Sequence, residues 1–148
     1  MVPAELIRNA KRLFAKPASR RTYAWSPERR RYVRYPCRWL IRFIELKPQP
    51  LEKFHIGKCK NVSQGGIKIT SFQPLERHTP ILVEMDANLL AKHVEVSELL
   101  WIGKNRFLAE VMWRHLNLET RLFEAGIQFV QARKHHQYES LIKYAETL

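Results

Sequence analysis

The stretch Tyr35-Pro-Cys-Arg-Trp-Leu-Ile-Arg-Phe-Ile-Glu45 alternates between two sets of side chains with a period of two residues. Successive side chains of a β-strand point to opposite faces, so this alternation predicts a strand with one largely apolar face. The residues expected on that face are Cys37, Trp39, Ile41 and Phe43. Pro48 and Pro50 follow the run and are expected to end the strand, because proline cannot donate a backbone hydrogen bond to a neighbouring strand.

Shorter runs of the same character predict further strands at Phe54–Lys60, Ile67–Thr70, Ile81–Met85, Phe107–Arg114 and Leu122–Val130. In the first of these runs, Phe54 and Ile56 are expected to point inward. In the run from Phe107 the predicted shared face consists of Phe107, Ala109, Val111 and Trp113. Asp86–Leu100 is predicted to be a short helical insertion, followed by a strand that pairs through Gly103-Lys-Asn105 with the next run.

From about Ala132 the spacing of apolar residues changes to that of a helix, with a stripe formed by Tyr138, Leu141, Ile142 and Ala145. Six or seven short antiparallel strands with proline and glycine turns, followed by one helix, predict a mainly β protein. The expected architecture is a small β-barrel with the helix against one mouth or side. A chain of 148 residues suits one such domain, which we assign to residues 26–148.

Residues 1–25 are predicted to form a separate basic helix and a linker. Apolar residues at helical spacing lie along one face of Pro3–Lys16, at Leu6, Ile7, Ala10, Leu13 and Phe14, with four cations mostly beside or opposite them. Such a helix could pack on its own domain, contact a second copy in a homodimer, lie on a membrane surface or bind a partner protein. The sequence leaves these alternatives open. Pro17-Ala-Ser-Arg-Arg21 is predicted to be the linker.

Several classes of protein find no support in the sequence. There is no apolar run of the roughly 20 residues that span a bilayer and no secretory signal pattern, so we expect a cytoplasmic protein. Cys37 and Cys59 lack the number and spacing of a disulfide framework or metal site, and are predicted to be buried thiols. His135 and His136 are interpreted as a solvated pair. Without a recognisable nucleophile, metal or cofactor motif, we predict a binding module rather than an enzyme.

The net charge of +12 is concentrated in the first third of the chain. Residues 1–42 hold 12 of the 26 arginines and lysines but only two acidic residues, Glu5 and Glu28. Such asymmetry indicates an anionic partner, which could be a nucleotide, a nucleic acid or an acidic membrane surface. Four of these arginines lie within Glu28-Arg-Arg-Arg-Tyr-Val-Arg-Tyr-Pro36, directly before the first strand.

A second polar segment, Asn61-Val-Ser-Gln-Gly-Gly66, separates two apolar runs and is predicted to be a turn. Arginine offers a planar fork of donors that binds a phosphate or the O6 and N7 edge of guanine. Asn61 and Ser63 add short hydrogen-bonding side chains. Gly65 and Gly66 permit positive φ and let the backbone approach a ligand closely. Together the two segments predict a site for a guanine nucleotide.

Arg30-Arg-Tyr-Val-Arg34 and Asn61-Val-Ser-Gln-Gly-Gly66 resemble, in this order, the RxxxR and [D/N]xSxxG motifs of the PilZ domain family of bacterial cyclic di-GMP receptors. The strand that follows the first motif, the late Ala125-Gly-Ile-Gln-Phe129 strand and the final helix also agree. The resemblance covers about residues 28–148. It implies that Arg30 and Arg34 grip the guanine edges and phosphates of cyclic di-GMP above Asn61, Ser63 and Gly66.

The resemblance also carries finer implications. Arginine at the position of Arg29 is associated in the family with two intercalated ligand molecules rather than one. Trp113 is at a strand position from which it could stack on a guanine, although a core-facing indole is an equal alternative. An overlapping RxxxR pair, Arg34 and Arg38, is rejected because Arg38 lies within the first strand. Asn61 replaces the aspartate common in the family and removes a negative charge.

The leading functional hypothesis is a receptor that binds cyclic di-GMP, changes the placement of its N-terminal segment and passes the signal to an unidentified protein partner. The alternative is an RNA- or DNA-binding β-barrel that uses the basic N-terminal third. A third interpretation is a domain that acts only through protein contacts.

Overall fold

The computed structural model describes residues 32–47 and 53–148. Within these ranges six strands form a closed antiparallel barrel in the spatial order β1-β2-β3-β6-β5-β4. The strands are β1 (Tyr35–Glu45), β2 (His55–Ser63), β3 (Gly66–Ser71), β4 (Pro80–Glu84), β5 (Arg106–Leu116) and β6 (Phe123–Phe129). The predicted mainly β fold is therefore confirmed, whereas the predicted N-terminal helix and linker lie outside the described residues.

Inward-pointing apolar side chains fill the barrel. Phe43, Phe107 and Val111 are completely buried there, and the Phe107 ring meets Phe129 edge-to-face with centroids 5.2 Å apart. Edge-to-face contacts between aromatic rings stabilise a core beyond the burial of their area. Cys59 also points inward and is fully buried, while Cys37 is only half-buried, with its sulfur 2.9 Å from that of Cys59. The prediction of buried thiols therefore holds for Cys59 alone.

The C-terminal segment packs against the side of the barrel. It begins as a 3₁₀ helix, Ala132–Tyr138, and continues as the second α-helix of the described residues, α2 (Glu139–Glu146). Its Ile142 and Ala145 form a second apolar cluster with outward-pointing residues of β1, β4 and β5, namely Ile44, Leu82 and Leu108. Arg106 Nη1 also donates to the carbonyl oxygen of Leu148, 2.6 Å away. The helix thus covers one part of the outer wall.

The insertion between β4 and β5 is helical only in short pieces. Ala87–Leu90 forms one α-helical turn, α1, whose N-cap Asp86 accepts a hydrogen bond from the backbone of Asn88 at 2.8 Å. Val96–Glu98 is a 3₁₀ turn. The strand predicted next is wrong, because within the described residues Leu99 and Trp101 make only isolated bridges. Leu90, Val94 and Leu99 belong to the barrel-interior core, so the insertion packs against that core.

Three predicted side-chain orientations are also wrong. Phe54, which was expected to point inward, packs against the outer cluster of Ile44, Leu82 and Leu108. Ile56 points outward and is 68% exposed, because Gly57 and Cys59 are the residues of β2 that face the core. Trp113 does not share the inward face of Val111, for a reason described below. In the part of the chain that the structure covers, no helix is both long and apolar enough to cross a membrane.

Candidate functional site

An open cavity of about 180 Å³ lies on the outer wall of the barrel, beside the hairpin of β2 and β3. Strands β2, β3, β5 and β6 all contribute to it. Its lining contains Arg34, Asn61, Ser63, Gly65, Gly66 and Trp113, together with Ile67, Lys68, Met112, Gly126, Ile127 and Gln128. Six of the eight residues predicted for the ligand site therefore line one cavity. The other two, Arg29 and Arg30, lie outside the described residues.

A β-bulge turns one half of the site outward. In β2, Cys59 pairs with Ile69 and Asn61 pairs with Lys68, which leaves Lys60 as an extra residue. A bulge of this kind interrupts the strict alternation of a strand. Cys59 and Val62 consequently both point into the core, while Asn61 and Ser63 point towards the cavity. With regular alternation from Cys59, Asn61 and Ser63 would have pointed inward.

The turn at the end of this hairpin is shorter than predicted. Asn61–Ser63 still belongs to β2, so the turn consists of Gln64 and Gly65 alone. The Ser63 Oγ accepts a hydrogen bond from the Gly65 N–H at 3.3 Å and donates one to the Gly66 carbonyl oxygen at 3.4 Å. These bonds fix the Ser63 hydroxyl at the edge of the cavity.

The two glycines of this segment are explained by close contacts. A Cβ on Gly66 would lie 1.9 Å from the carbonyl oxygen of Ile127, and a Cβ on Gly65 would lie 3.0 Å from the Tyr32 ring. Neither glycine has positive φ, so the left-handed backbone that glycine permits is not used here. Gly66 is required because β6 passes directly against it.

A second bulge turns the other half of the site outward. In β5, Val111 pairs with Ile127 and Trp113 pairs with Gly126, which leaves Met112 as the extra residue. Trp113 is therefore 39% exposed and lies on the outer wall rather than in the core. Its indole lies across Gly126, where a Cβ would approach Nε1 to 2.0 Å. An outward-facing indole over a bare backbone gives a flat apolar surface beside the polar hairpin.

A network of ionisable side chains lies beside Trp113 on the outer wall. Trp113 stacks on His115 with centroids 5.5 Å apart, and His115 Nε2 lies 2.9 Å from Glu124 Oε1. Burial lowers the pKa of His115, the nearby Lys68 cation adds to this effect, and Glu124 opposes it. Burial would raise the pKa of Glu124, but the hydrogen bond from Asn117 and the Lys68 cation outweigh burial and lower it. Glu124 is consequently anionic and His115 neutral at pH 7.

The insertion holds both motif segments. Gln64 Oε1 accepts from the backbone N–H of Glu95 at 2.6 Å, while its Nε2 donates to the Glu98 carboxylate at 3.2 Å. On the other side, His93 stacks on Tyr35, the residue after Arg34, with ring centroids 4.6 Å apart. These contacts give the insertion, which the sequence left without a role, a position next to both motifs.

Sequence reasoning missed six lining residues, namely Ile67, Lys68, Met112, Gly126, Ile127 and Gln128. Lys68 had a usable signal, since it alternates with the apolar Ile67 and Ile69 and so had to face outward. Gly126 had another, because glycine within a strand often marks a close approach. The site that results has a cationic edge, a row of hydrogen-bonding groups and an aromatic face. This combination suits a nucleotide with guanine bases and phosphates.

Comparison with protein families gives one match. The family model described as PilZ domain matches residues 28–146. A search of curated proteins found no significant match. The matched range includes both motif segments, all six strands and nearly all of the C-terminal helix.

Proposed function

The chain belongs to the PilZ domain family, a family of cyclic di-GMP receptor domains, and from this membership we propose that its outer-wall cavity binds cyclic di-GMP. The observation that supports this most strongly is that Arg34, Asn61, Ser63 and Gly66 line one cavity although they come from segments about 30 residues apart. Receptor domains of this kind act by binding, and we assign no catalytic step to the chain.

Each part of the cavity matches a part of the ligand. Arg34 is exposed at the start of β1 and can direct its guanidinium over the cavity towards a phosphate or a guanine edge. Asn61 and Ser63 supply neutral hydrogen-bonding groups beneath it. Lys68 adds positive charge on the wall, and Trp113 offers a ring on which a guanine base can stack. We propose these roles together with the matching grip of Arg30.

We further propose that the ligand orders the segment before β1. Arg34 directly precedes β1, and Arg30 comes four positions earlier in the sequence, so a ligand that contacts both must fix the path of this segment. Fixing that path changes where residues 1–25 lie relative to the barrel, which gives a partner protein a different surface to bind. Arg29 extends the cationic edge, and we propose two ligand molecules per site.

A membrane surface and a second copy of the chain are further proposed partners. Residues 1–25 could contact an acidic membrane surface or a second copy of the chain, and a cytoplasmic location stays a prediction. The proposed membrane contact and homodimer depend on the basic amphipathic pattern of Pro3–Lys16.

The test is a calorimetric titration of the full chain with cyclic di-GMP, which returns affinity and stoichiometry. Arg34→Ala should weaken binding by about 10- to 100-fold, because a hydrogen bond to a charged group contributes about 1.5–3 kcal/mol. Arg38→Ala is the matched control, since it removes the same charge from an exposed position on β1 away from the cavity lining. Its affinity should stay within about threefold of the wild type.

Two outcomes would contradict the proposal. One is the absence of heat when wild-type protein is titrated with micromolar cyclic di-GMP. The other is equal affinity for cyclic di-AMP and for long single-stranded RNA with a steep loss on adding salt, which is the behaviour of the nucleic-acid alternative.

A further inference from the structure

Three apolar side chains project from the outer wall at the end of the barrel away from the cavity. Phe72, Leu40 and Ile56 are 80%, 75% and 68% exposed, more than any other large apolar side chain of the described residues. Gly57 pairs with Ser71, and both are buried, so the neighbouring Ile56 and Phe72 lie level with each other and point outward. Leu40 is opposite Lys58, the next outward residue of β2. The three therefore form one row across β1, β2 and the end of β3.

The rest of the same wall shows that this exposure is exceptional. Leu40, Arg42 and Ile44 are successive outward positions of β1. Ile44 is only 3% exposed because α2 covers it, whereas Leu40 is bare. Soluble monomers rarely expose contiguous apolar side chains without a function, and such patches commonly mark the site of a partner.

The outward-facing charged side chains that β1 and β2 place around the row are cations. Arg38, Lys58 and Lys60 are all exposed and lie on the same outward face of β1 and β2. Of the two described carboxylates that line the groove beside Leu40 and Ile56, Glu84 is held by Arg42 and Arg106, each at 2.9 Å, and Asp86 caps α1. The row and its three cations are called the β1–β2 patch below. Apolar groups beside uncompensated cations are complementary to apolar groups beside carboxylates.

We propose that the β1–β2 patch binds an acidic polypeptide segment of another protein. An apolar side chain of the segment packs on Leu40, Ile56 and Phe72, and its Asp or Glu side chains pair with Lys58, Lys60 and Arg38. This role goes beyond nucleotide binding and is independent of it.

The chemistry of the patch favours this occupant over the others. Phe72 is the one aromatic ring of the row, and Leu40 and Ile56 add neither a second ring nor a hydrogen-bonding group, whereas a single-stranded nucleic acid stacks its successive bases on several rings. The groove beside the row is also lined by Glu84, Asp86 and Asn105, whose oxygens can accept the backbone N–H groups that a polypeptide supplies and a membrane surface does not. The basic residues 1–25 and a second β1–β2 patch carry the same sign as the patch and are repelled.

The patch and the cavity share one hairpin. Ile56 and Asn61 lie five residues apart on β2, which corresponds to about 17 Å along the strand. A segment bound at the patch and a nucleotide bound at the cavity therefore need not compete.

The first experiment places the photoreactive residue p-benzoylphenylalanine at position 56 of the full chain in cells. The matched control carries it at Leu118, which is 37% exposed in the turn between β5 and β6. Illumination should join position 56, but not position 118, to a segment of another protein with two or more Asp or Glu beside an apolar residue. Cross-links confined to lipid, RNA, residues 1–31 or a second copy would overturn the proposal, as would no cross-link or an acid-poor segment.

The second experiment titrates a synthetic peptide of the cross-linked segment against purified protein by fluorescence anisotropy. Lys58→Glu should weaken binding tenfold or more, whereas Lys143→Glu, the same charge change on the exposed face of α2, should change it less than twofold. Thermal melting confirms that both variants fold. Equal affinities for the two variants would overturn the proposal. Because Lys58 lies outside the cavity lining, both variants should bind cyclic di-GMP like the wild type, so a failed nucleotide titration would not affect this result.

Discussion

The outer wall of this barrel has two regions of opposite character. Where α2 covers it, the outward residues are large and apolar, as with Ile44, Leu82 and Leu108. Around the cavity they are polar, lack a side chain or expose an aromatic ring, as with Asn61, Gly126 and Trp113. The same six strands therefore devote one part of their outer face to stability and another to binding. The comparison teaches that an outward apolar residue of a small barrel indicates stability or binding only once it is known whether another element covers it.

The largest test of this comparison uses two leucines that both point outward. Leu108→Ala should lower the free energy of unfolding by about 2–5 kcal/mol, because Leu108 is fully buried under α2 and its truncation leaves a cavity. Leu40→Ala should change it by less than about 0.5 kcal/mol, since Leu40 is largely exposed. Urea denaturation of the two variants measures both values. Similar losses would mean that the two regions of the wall do not differ as described.

The second test compares two glycine-to-alanine variants, one on the outer face of the sheet at the cavity and one on its inner face at the core. Gly126→Ala should weaken cyclic di-GMP binding about tenfold, about 1.4 kcal/mol, because the new Cβ must displace the Trp113 indole that lies across the glycine. Gly57→Ala, on the inner side, would bring Cβ to 3.1 Å from the Phe43 ring and 3.2 Å from the Thr70 carbonyl oxygen. It should reduce stability by about 1 kcal/mol and leave nucleotide affinity unchanged.

Calorimetric titration and urea denaturation of both glycine variants check this pair of expectations. If Gly126→Ala lost stability but kept its affinity, the indole would belong to the packing of the wall and not to the ligand site.

The regular parts of the barrel were predictable from the sequence because alternation reports burial directly. The predicted and observed limits of β1, Tyr35 and Glu45, agree, and the final helix buries Ile142 and Ala145 as its stripe predicts. The orientation of Ile56 was wrong because Gly57 next to it has no side chain with which to signal its inward position. A large apolar residue beside a glycine was therefore assigned to the wrong face.

The site was less predictable than the fold because two bulges create it. Lys60 and Met112 are the extra residues of β2 and β5. Lysine and methionine both occur in regular strands, so their residue types do not announce a bulge. Each bulge reverses which face the following residues of the strand point to, and this brings Asn61, Ser63 and Trp113 to the outer wall. The motif residues were identified by resemblance, but periodicity alone would have placed Trp113 in the core. The roles of Arg29 and Arg30 stay predictions.

The smallest expected effect concerns pH and tests whether the wall around the cavity contributes any stability. Burial lowers the pKa of His115 in the folded protein below its ordinary value of 6.5, so the unfolded chain binds a proton first as the pH falls. Stability is then complete above about pH 6.5 and is lost as the pH falls through the unfolded pKa towards the folded one. Glu124, whose pKa is lowered from 4.5, adds a further loss only in more acidic solution.

His115→Gln removes the first of these titrations and leaves Glu124 in place. The melting temperature of the wild type should therefore fall more between pH 7.5 and 5.5 than that of the variant, by a few degrees at most, because a single residue is responsible. Differential scanning calorimetry at both pH values measures the difference. Parallel decreases in the two proteins would mean that His115 is as accessible to protons in the folded barrel as in the unfolded chain. His115 would then contribute no pH-dependent stability to the wall around the cavity, and the reason for its position would have to be sought in ligand binding.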